Sequence, residues 1–183
     1  MQLKARFLQM TRFIRMYMPK SNRRDRSITY ASAINEATRQ LMAQDDSVFV
    51  LGIGVDDPRG IYGTTSNLSS EFGQDRVVNM PLAEDAITGI ASGSSMAGMR
   101  PIVVHERMDF MLLAMNQLIN VAAKSHYMYG GAVKVPMVVR SIIGRSWGQG
   151  AQHSQALHSF FMHIPGLKVI APTTPYDAKG ALV

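Results

Sequence analysis

The 183-residue chain has no cysteine, a single tryptophan, and no apolar run approaching the ~20 residues that a membrane-spanning helix needs. The missing cysteines exclude a disulfide framework and any thiolate-ligated metal, and are compatible with a reducing compartment. Charge is scarce too. With 17% charged and 46% hydrophobic residues the composition excludes a disordered chain and suits one domain with a sizeable core.

What charge there is lies unevenly. The first 26 residues carry Lys4, Arg6, Arg12, Arg15, Lys20, Arg23, Arg24 and Arg26 against Asp25 alone, leaving 11 basic and 12 acidic residues in the rest. The net charge of +6 therefore belongs to an N-terminal arm, residues 1–26, and not to the domain, residues 27–183. A near-neutral domain is a poor nucleic-acid reader, and no nucleic-acid partner is assigned to it. Within the arm Leu3, Phe7, Met10, Ile14 and Met18 recur every three or four residues with Lys and Arg on the other faces, the pattern of a basic amphipathic helix. Such an arm packs on a partner subunit or stays mobile. Contact with a membrane surface, organelle targeting and nucleic-acid contact are the other readings. Pro19 ends the stripe, and "KSNRRDRS" links it to the domain.

From Ser27 onward helical and strand signals alternate. Thr29 is placed to cap a helix "YASAINEATRQLMAQ", and "SVFVLG" after it reads as a buried strand. Further strands are expected at "RVVN", "PIVVHE", "VPMVVRS" and "GLKVIAP", with helices at Glu84 to Ala97 and about Phe110 to Met128 between them. This order predicts an α/β fold, an open and mostly parallel sheet with helices on both faces. Ligands of such folds sit at the carboxyl ends of the strands, where "GIGVDDPRG", "MPLAE", "HERMDF" and "SIIGRSWGQGAQH" would fall.

Glu84 stands in the first turn of its helix, where a carboxylate gains roughly 0.3 to 1 kcal/mol from the helix dipole; that alone explains its presence. Gly89, Ala91, Gly93, Ser94, Ala97 and Gly98 follow, small residues that allow close approach to another backbone, in the core or at a subunit interface.

The run "PLAEDAITGIASGSSMAGMRPIV", preceded by "DSVFVLG" and followed by "NQLINVAAKSHYMYGG", "AQHSQ" and "PGLKVIAPTTPYDAKG", resembles the β subunit of the decarboxylating component of 2-oxo acid dehydrogenases, of the pyruvate and branched-chain type. The resemblance covers about Thr29 to Val183 and implies the pyrimidine-binding domain of thiamine diphosphate enzymes. In that family the glutamate of the "P-[LI]-x-E" turn hydrogen-bonds N1′ of the cofactor's aminopyrimidine. Carried to Glu84, the resemblance implies a carboxyl proton that promotes the ring's imino form, which takes up the thiazolium C2 proton. His153 matches the histidine of "A-Q-H-S-Q", near the substrate carboxylate; an imidazole there suits binding or proton transfer. Phe110 aligns with a family aromatic beside the aminopyrimidine and Leu82 lies next to Glu84, so both are candidate cofactor walls as well as ordinary core residues. His105, His126, His158 and His163 carry no pattern that separates them from structural histidines, and no metal-ligand set is assigned.

The resemblance also implies partners. The family binds the diphosphate through Mg²⁺ with a "G-D-G…N" stretch that is absent here, so an α subunit carrying the diphosphate-binding domain is expected, in an α2β2-type heterotetramer serving a lipoyl-bearing acyltransferase. The expected compartment is the cytoplasm, with the mitochondrial matrix as the alternative. The chain departs from the family at Ile53, where "GIGV" replaces an acid associated with proton communication between paired sites, and at Arg140 to Gly144, "RSIIG" for the usual Arg-x-Pro-x-Gly loop. It also stops where the family continues into a second domain. A split transketolase, a deoxyxylulose-phosphate-synthase-like subunit and a catalytically silent assembly subunit are the alternative readings.

Overall fold

The structure is a computed structural model that describes residues 26–144 and 149–183. The expected amphipathic arm lies outside the described residues except for Arg26.

The first helix, α1 (Tyr30–Gln44), forms where its pattern and cap place it. Thr29 is extended and its Oγ1 accepts from Ser32 N at 3.2 Å, while Ala33 and Ala37, four residues apart, are fully buried. Four strands follow with helices between them: β1 (Val48–Gly52), α2 (Leu68–Phe72), β2 (Val77–Asn79), α3 (Glu84–Met96), β3 (Arg100–His105), α4 (Met108–Met111), α5 (Ala123–Met128) and β4 (Val138–Ser141). Two helices close the chain, α6 (Ser159–Met162) and α7 (Pro175–Leu182). The sheet is all parallel in the order β2-β1-β3-β4.

Alternation along the strands sends apolar side chains to two layers. Val48, Val50, Ile102 and Val104 face one side and pack with Met42 of α1 and Leu68 of α2. Leu51 and Val103 face the other, against Ile87 and Ala91 of α3. A third cluster of Met108, Met111, Leu118 and Phe161 shares Met137 and Val139 with the second and seats α4 and α6. Burial on both faces is what a parallel sheet requires, and it accounts for the uninterrupted apolar strands. β1 and β3 approach closely at Gly52, whose missing side chain leaves room: a Cβ there would stand 2.4 Å from the Val104 carbonyl oxygen.

Two expectations are corrected. The segment "GLKVIAP" is not paired into a strand; Val169 and Ile170 are exposed, and the stretch is held instead by Tyr30 Oη donating to Pro172 O at 2.9 Å and by α7 packing on α1. The single helix expected from about Phe110 to Met128 starts at Met108 and is broken into α4, a 3₁₀ turn Leu112–Ala114, a π-helical stretch Gln117–Ala122 and α5. The widened turn faces α3, where Gln117 lies beside side-chain-free Gly89 and Gln117 Nε2 donates to Asp85 Oδ2 at 3.4 Å. Among the described residues no helix is long and apolar enough to cross a membrane.

Candidate functional site

Every sequence-flagged residue falls on a turn or helix start that follows the carboxyl end of a strand, but the four do not form one cluster. Glu84 opens α3 after β2. The turn between them stays tied to β1, with Met80 N donating to Gly52 O at 3.0 Å and Gly54 N to Asn79 Oδ1 at 2.9 Å. Ala83 has no side chain to cap α3, so Glu84 and Asp85 supply the negative charge that the first-turn N–H groups favour. Glu84 is only 7% exposed, and no ion pair among the described residues involves it. Leu82, in the same turn, is 79% exposed, a surface residue and not part of the core. Ile53 is half-buried and packs against the cluster that holds Ile87, on the α3 side of the sheet.

The start of α3 is braced from β3. Thr88 Oγ1 donates to the Glu84 carbonyl at 2.9 Å and lies 3.0 Å from His105 Nε2. A hydroxyl has one hydrogen, so Thr88 accepts from His105 and the ring is the Nε2–H tautomer. Burial pulls the His105 pKa from 6.5 down to about 4, so the ring is neutral at physiological pH and its buried Nδ1 is an acceptor without a partner among the described residues.

The turns after β3 and β4 meet on the other side of β1. Phe110 of α4 and His153, in the 3₁₀ turn Ala151–His153, are in edge-to-face contact, with ring centroids 5.1 Å apart and planes at 87°. Buried Asp109 accepts from Gln155 twice, from N at 3.3 Å and Nε2 at 2.7 Å. Buried Arg107 donates from Nη2 to Gln149 Oε1 at 2.9 Å, and its guanidinium lies 5.2 Å from the Tyr62 ring centroid. Tyr62 itself holds φ at 53°, a left-handed conformation that is costly for a bulky side chain. Arg140, at the end of β4, donates from Nη1 to Thr64 Oγ1 at 2.9 Å, and its buried Nε and Nη2 have no partner among the described residues. That burial lowers its pKa to about 10.

Phe110 and His153 are thus brought together, while Glu84 and Leu82 share a turn beyond β1; no hydrogen bond or ring contact among the described residues joins the two pairs. The sequence reading missed the polar run His105, Arg107 and Asp109, all buried. Its signal was a chemical break: an uninterrupted apolar strand, "PIVV", followed at once by "HERMD". His105 Nδ1, Asp109 Oδ2, Arg140 Nε and Nη2, Ser141 Oγ and His153 Nδ1 are buried and have no partner among the described residues, which concentrates donors and acceptors at the carboxyl edge of the sheet.

An open parallel sheet whose carboxyl edge carries buried, incompletely paired polar groups is an α/β domain built to meet a ligand at that edge. This chain belongs to the family described as the transketolase pyrimidine-binding domain, which it matches over residues 26–183. Among curated proteins it is 43% identical over 168 residues to the acetoin:2,6-dichlorophenolindophenol oxidoreductase subunit beta of Cupriavidus necator, covering 86% of this chain and 49% of that one. It is 45% identical over 150 residues to the pyruvate dehydrogenase E1 component subunit beta of Gracilaria tenuistipitata var. liui, covering 82% of this chain and 46% of the relative. With the 2-oxoisovalerate dehydrogenase subunit beta of Bacillus subtilis the identity is 43% over 155 residues, covering 85% and 47%. The chain spans about half the length of these relatives. A solved structure, the inactive beta4 tetramer of a split-gene transketolase, superposes with a TM-score of 0.66 at 21% identity, covering 86% of this chain and 47% of that one, a likeness of fold.

Proposed function

We propose that this chain supplies the pyrimidine-binding half of a thiamine diphosphate-dependent 2-oxo acid dehydrogenase and works with an α-type partner. The observation that carries the reading is Glu84, a carboxyl group buried in the first turn of α3 at the carboxyl edge of a transketolase-type sheet. The residues present suit the cofactor's aminopyrimidine: Glu84 offers a buried hydrogen-bonding acid without an ion-pair partner among the described residues, and exposed Leu82 beside it offers apolar surface. Bound thiamine diphosphate supplies the carbon nucleophile that activates a 2-oxo acid.

The chain's own residues have simpler tasks. Glu84 holds a proton toward a ring nitrogen, and the His105–Thr88 brace fixes the helical turn from which it does so. Phe110 serves as a cofactor wall and meets the ring of His153, whose imidazole binds the substrate carboxylate or transfers a proton. The diphosphate and Mg²⁺ are assigned to the α partner, in an α2β2-type assembly that delivers its product to a lipoyl-bearing acyltransferase. We place the assembly in the cytoplasm, with the mitochondrial matrix as the alternative.

The test uses the complex reconstituted with an α-type partner. Glu84→Gln keeps a hydrogen bond but removes the acid, so hydrogen–deuterium exchange at C2 of bound thiamine diphosphate should slow by about 10²- to 10⁴-fold, the usual worth of general acid–base catalysis. Equal rates in wild type and variant would return Glu84 to a helix-capping role. Turnover of pyruvate, 2-oxoisovalerate and acetoin by the same complex then separates the substrates named for the three relatives.

A further inference from the structure

Among the described residues, the segment that carries His153, Gln149 to Ala156, has no apolar anchor of its own. From Gln149 to Ala156 no residue is buried, and the first side chains of the segment to enter the core are Leu157 and Phe161. The position of the imidazole is therefore left to polar contacts and to one ring.

Among the described residues the turn after β3 supplies the side-chain contacts that hold it. Arg107 holds Gln149 at one end of the segment, Asp109 holds Gln155 at the other through two hydrogen bonds, and Phe110 meets His153 between them. Asp109 is the firmest of the three anchors. It is itself buried in the first turn of α4, between Met108 and Met111 of the third apolar cluster, so its carboxylate is placed by β3 and by the core beneath. Gln155, its partner, is exposed and sits two residues from His153.

We propose that Asp109 is a positioning residue for the His153 imidazole; the kinetic part of the proposal rests on the role given to His153 above. Asp109 touches no reacting atom. It sets where the imidazole stands by fixing both the main chain and the side chain of Gln155, and a displacement of the order of 1 Å at a reacting group costs about 10²-fold in rate.

The decisive measurement is made first on the full chain, without cofactor. Phe110's ring current marks the His153 Cε1–H resonance in the proton–carbon spectrum, and Phe110→Leu gives the position of that resonance without the ring. In Asp109→Ala the resonance should move most of the way to the Phe110→Leu position. In Asp109→Asn it should stay near wild type, because the amide oxygen still accepts from Gln155. In the complex with the α-type partner kcat should fall about 10- to 100-fold in Asp109→Ala and recover in Asp109→Asn. An unmoved His153 resonance in Asp109→Ala overturns the clamp whatever the kinetics. A moved resonance with turnover unchanged in both Asp109→Ala and His153→Ala overturns the role of His153 and leaves the clamp standing. If Asp109→Ala does not fold, Gln155→Ala, at an exposed position, removes the shorter of the two bonds and should move the resonance in the same direction; no movement there also defeats the proposal.

Discussion

The middle of the sheet and its carboxyl edge are built from the same strands on opposite principles. Along β3, Ile102, Val103 and Val104 are buried and pack into the apolar layers, whereas His105, Arg107 and Asp109, which follow them, are also buried but polar. In the middle, position follows from packing, which is insensitive to direction. At the edge it follows from directed bonds: Thr88 to His105, Asp109 to Gln155, Arg140 to Thr64. Buried polar atoms that lack a partner among the described residues are costly, and they concentrate at that edge.

The comparison breaks most visibly in the middle. Ile87 is fully buried between α3 and the sheet, so Ile87→Ala should cost about 2 to 5 kcal/mol in denaturant unfolding, the usual range for such a cavity. A loss under about 1 kcal/mol would mean that this layer is not the packed core described. At the edge the expected loss is smaller but depends on partners. Thr88→Val leaves the His105 Nε2–H buried without its acceptor, at about 1 to 3 kcal/mol. Replacing both groups, Thr88→Val with His105→Leu, should recover part of that loss; simple additivity of the two single variants would show that the bond is not what holds them. Farther from both regions, Thr29→Ala removes the α1 cap and should cost about 1 kcal/mol, read from the same unfolding curves.

The smallest effect is a pH dependence at the surface. Glu36 receives hydrogen bonds from Arg26 and Lys179, which tie the start of the domain, α1 and α7 together and hold its pKa down to about 2 from the usual 4.5. A depressed carboxyl pKa contributes stability in full above the unfolded value, and the contribution is lost as pH falls from about 4.5 toward 2. Wild type should therefore exceed Glu36→Gln in stability at neutral pH, with the gap closing through that window. A gap that persists at the acid end would assign the effect to packing.

Sequence reading succeeded where structure is locally encoded. The limits of α1 follow from Thr29 and the spacing of Ala33 and Ala37, and the position of Glu84 follows from a short strand, a proline turn and the start of a helix. The central strands β1 and β3 were legible as apolar runs because a parallel sheet buries both of their faces, and the edge strands β2 and β4 as shorter β-branched runs. "GLKVIAP" is also rich in β-formers but pairs with no strand among the described residues, and a run of β-formers becomes a strand only where an edge accepts its hydrogen bonds. The break of the long helix into 3₁₀ and π pieces is likewise invisible in a pattern that repeats at helical spacing.

By itself, then, the sequence determined the alternation of elements, the two apolar faces and the carboxyl group at the head of α3, because each depends on residues within a turn or two of one another. Only the tertiary structure decided that Phe110 and His153, 43 positions apart, meet ring to ring. It also decided that Asp109 holds Gln155, two residues past His153, and that His105, featureless as a letter, braces the turn of Glu84 through Thr88. Those contacts join residues from different strand ends, and their distances and directions are set by the order β2-β1-β3-β4, which no single segment of the chain encodes.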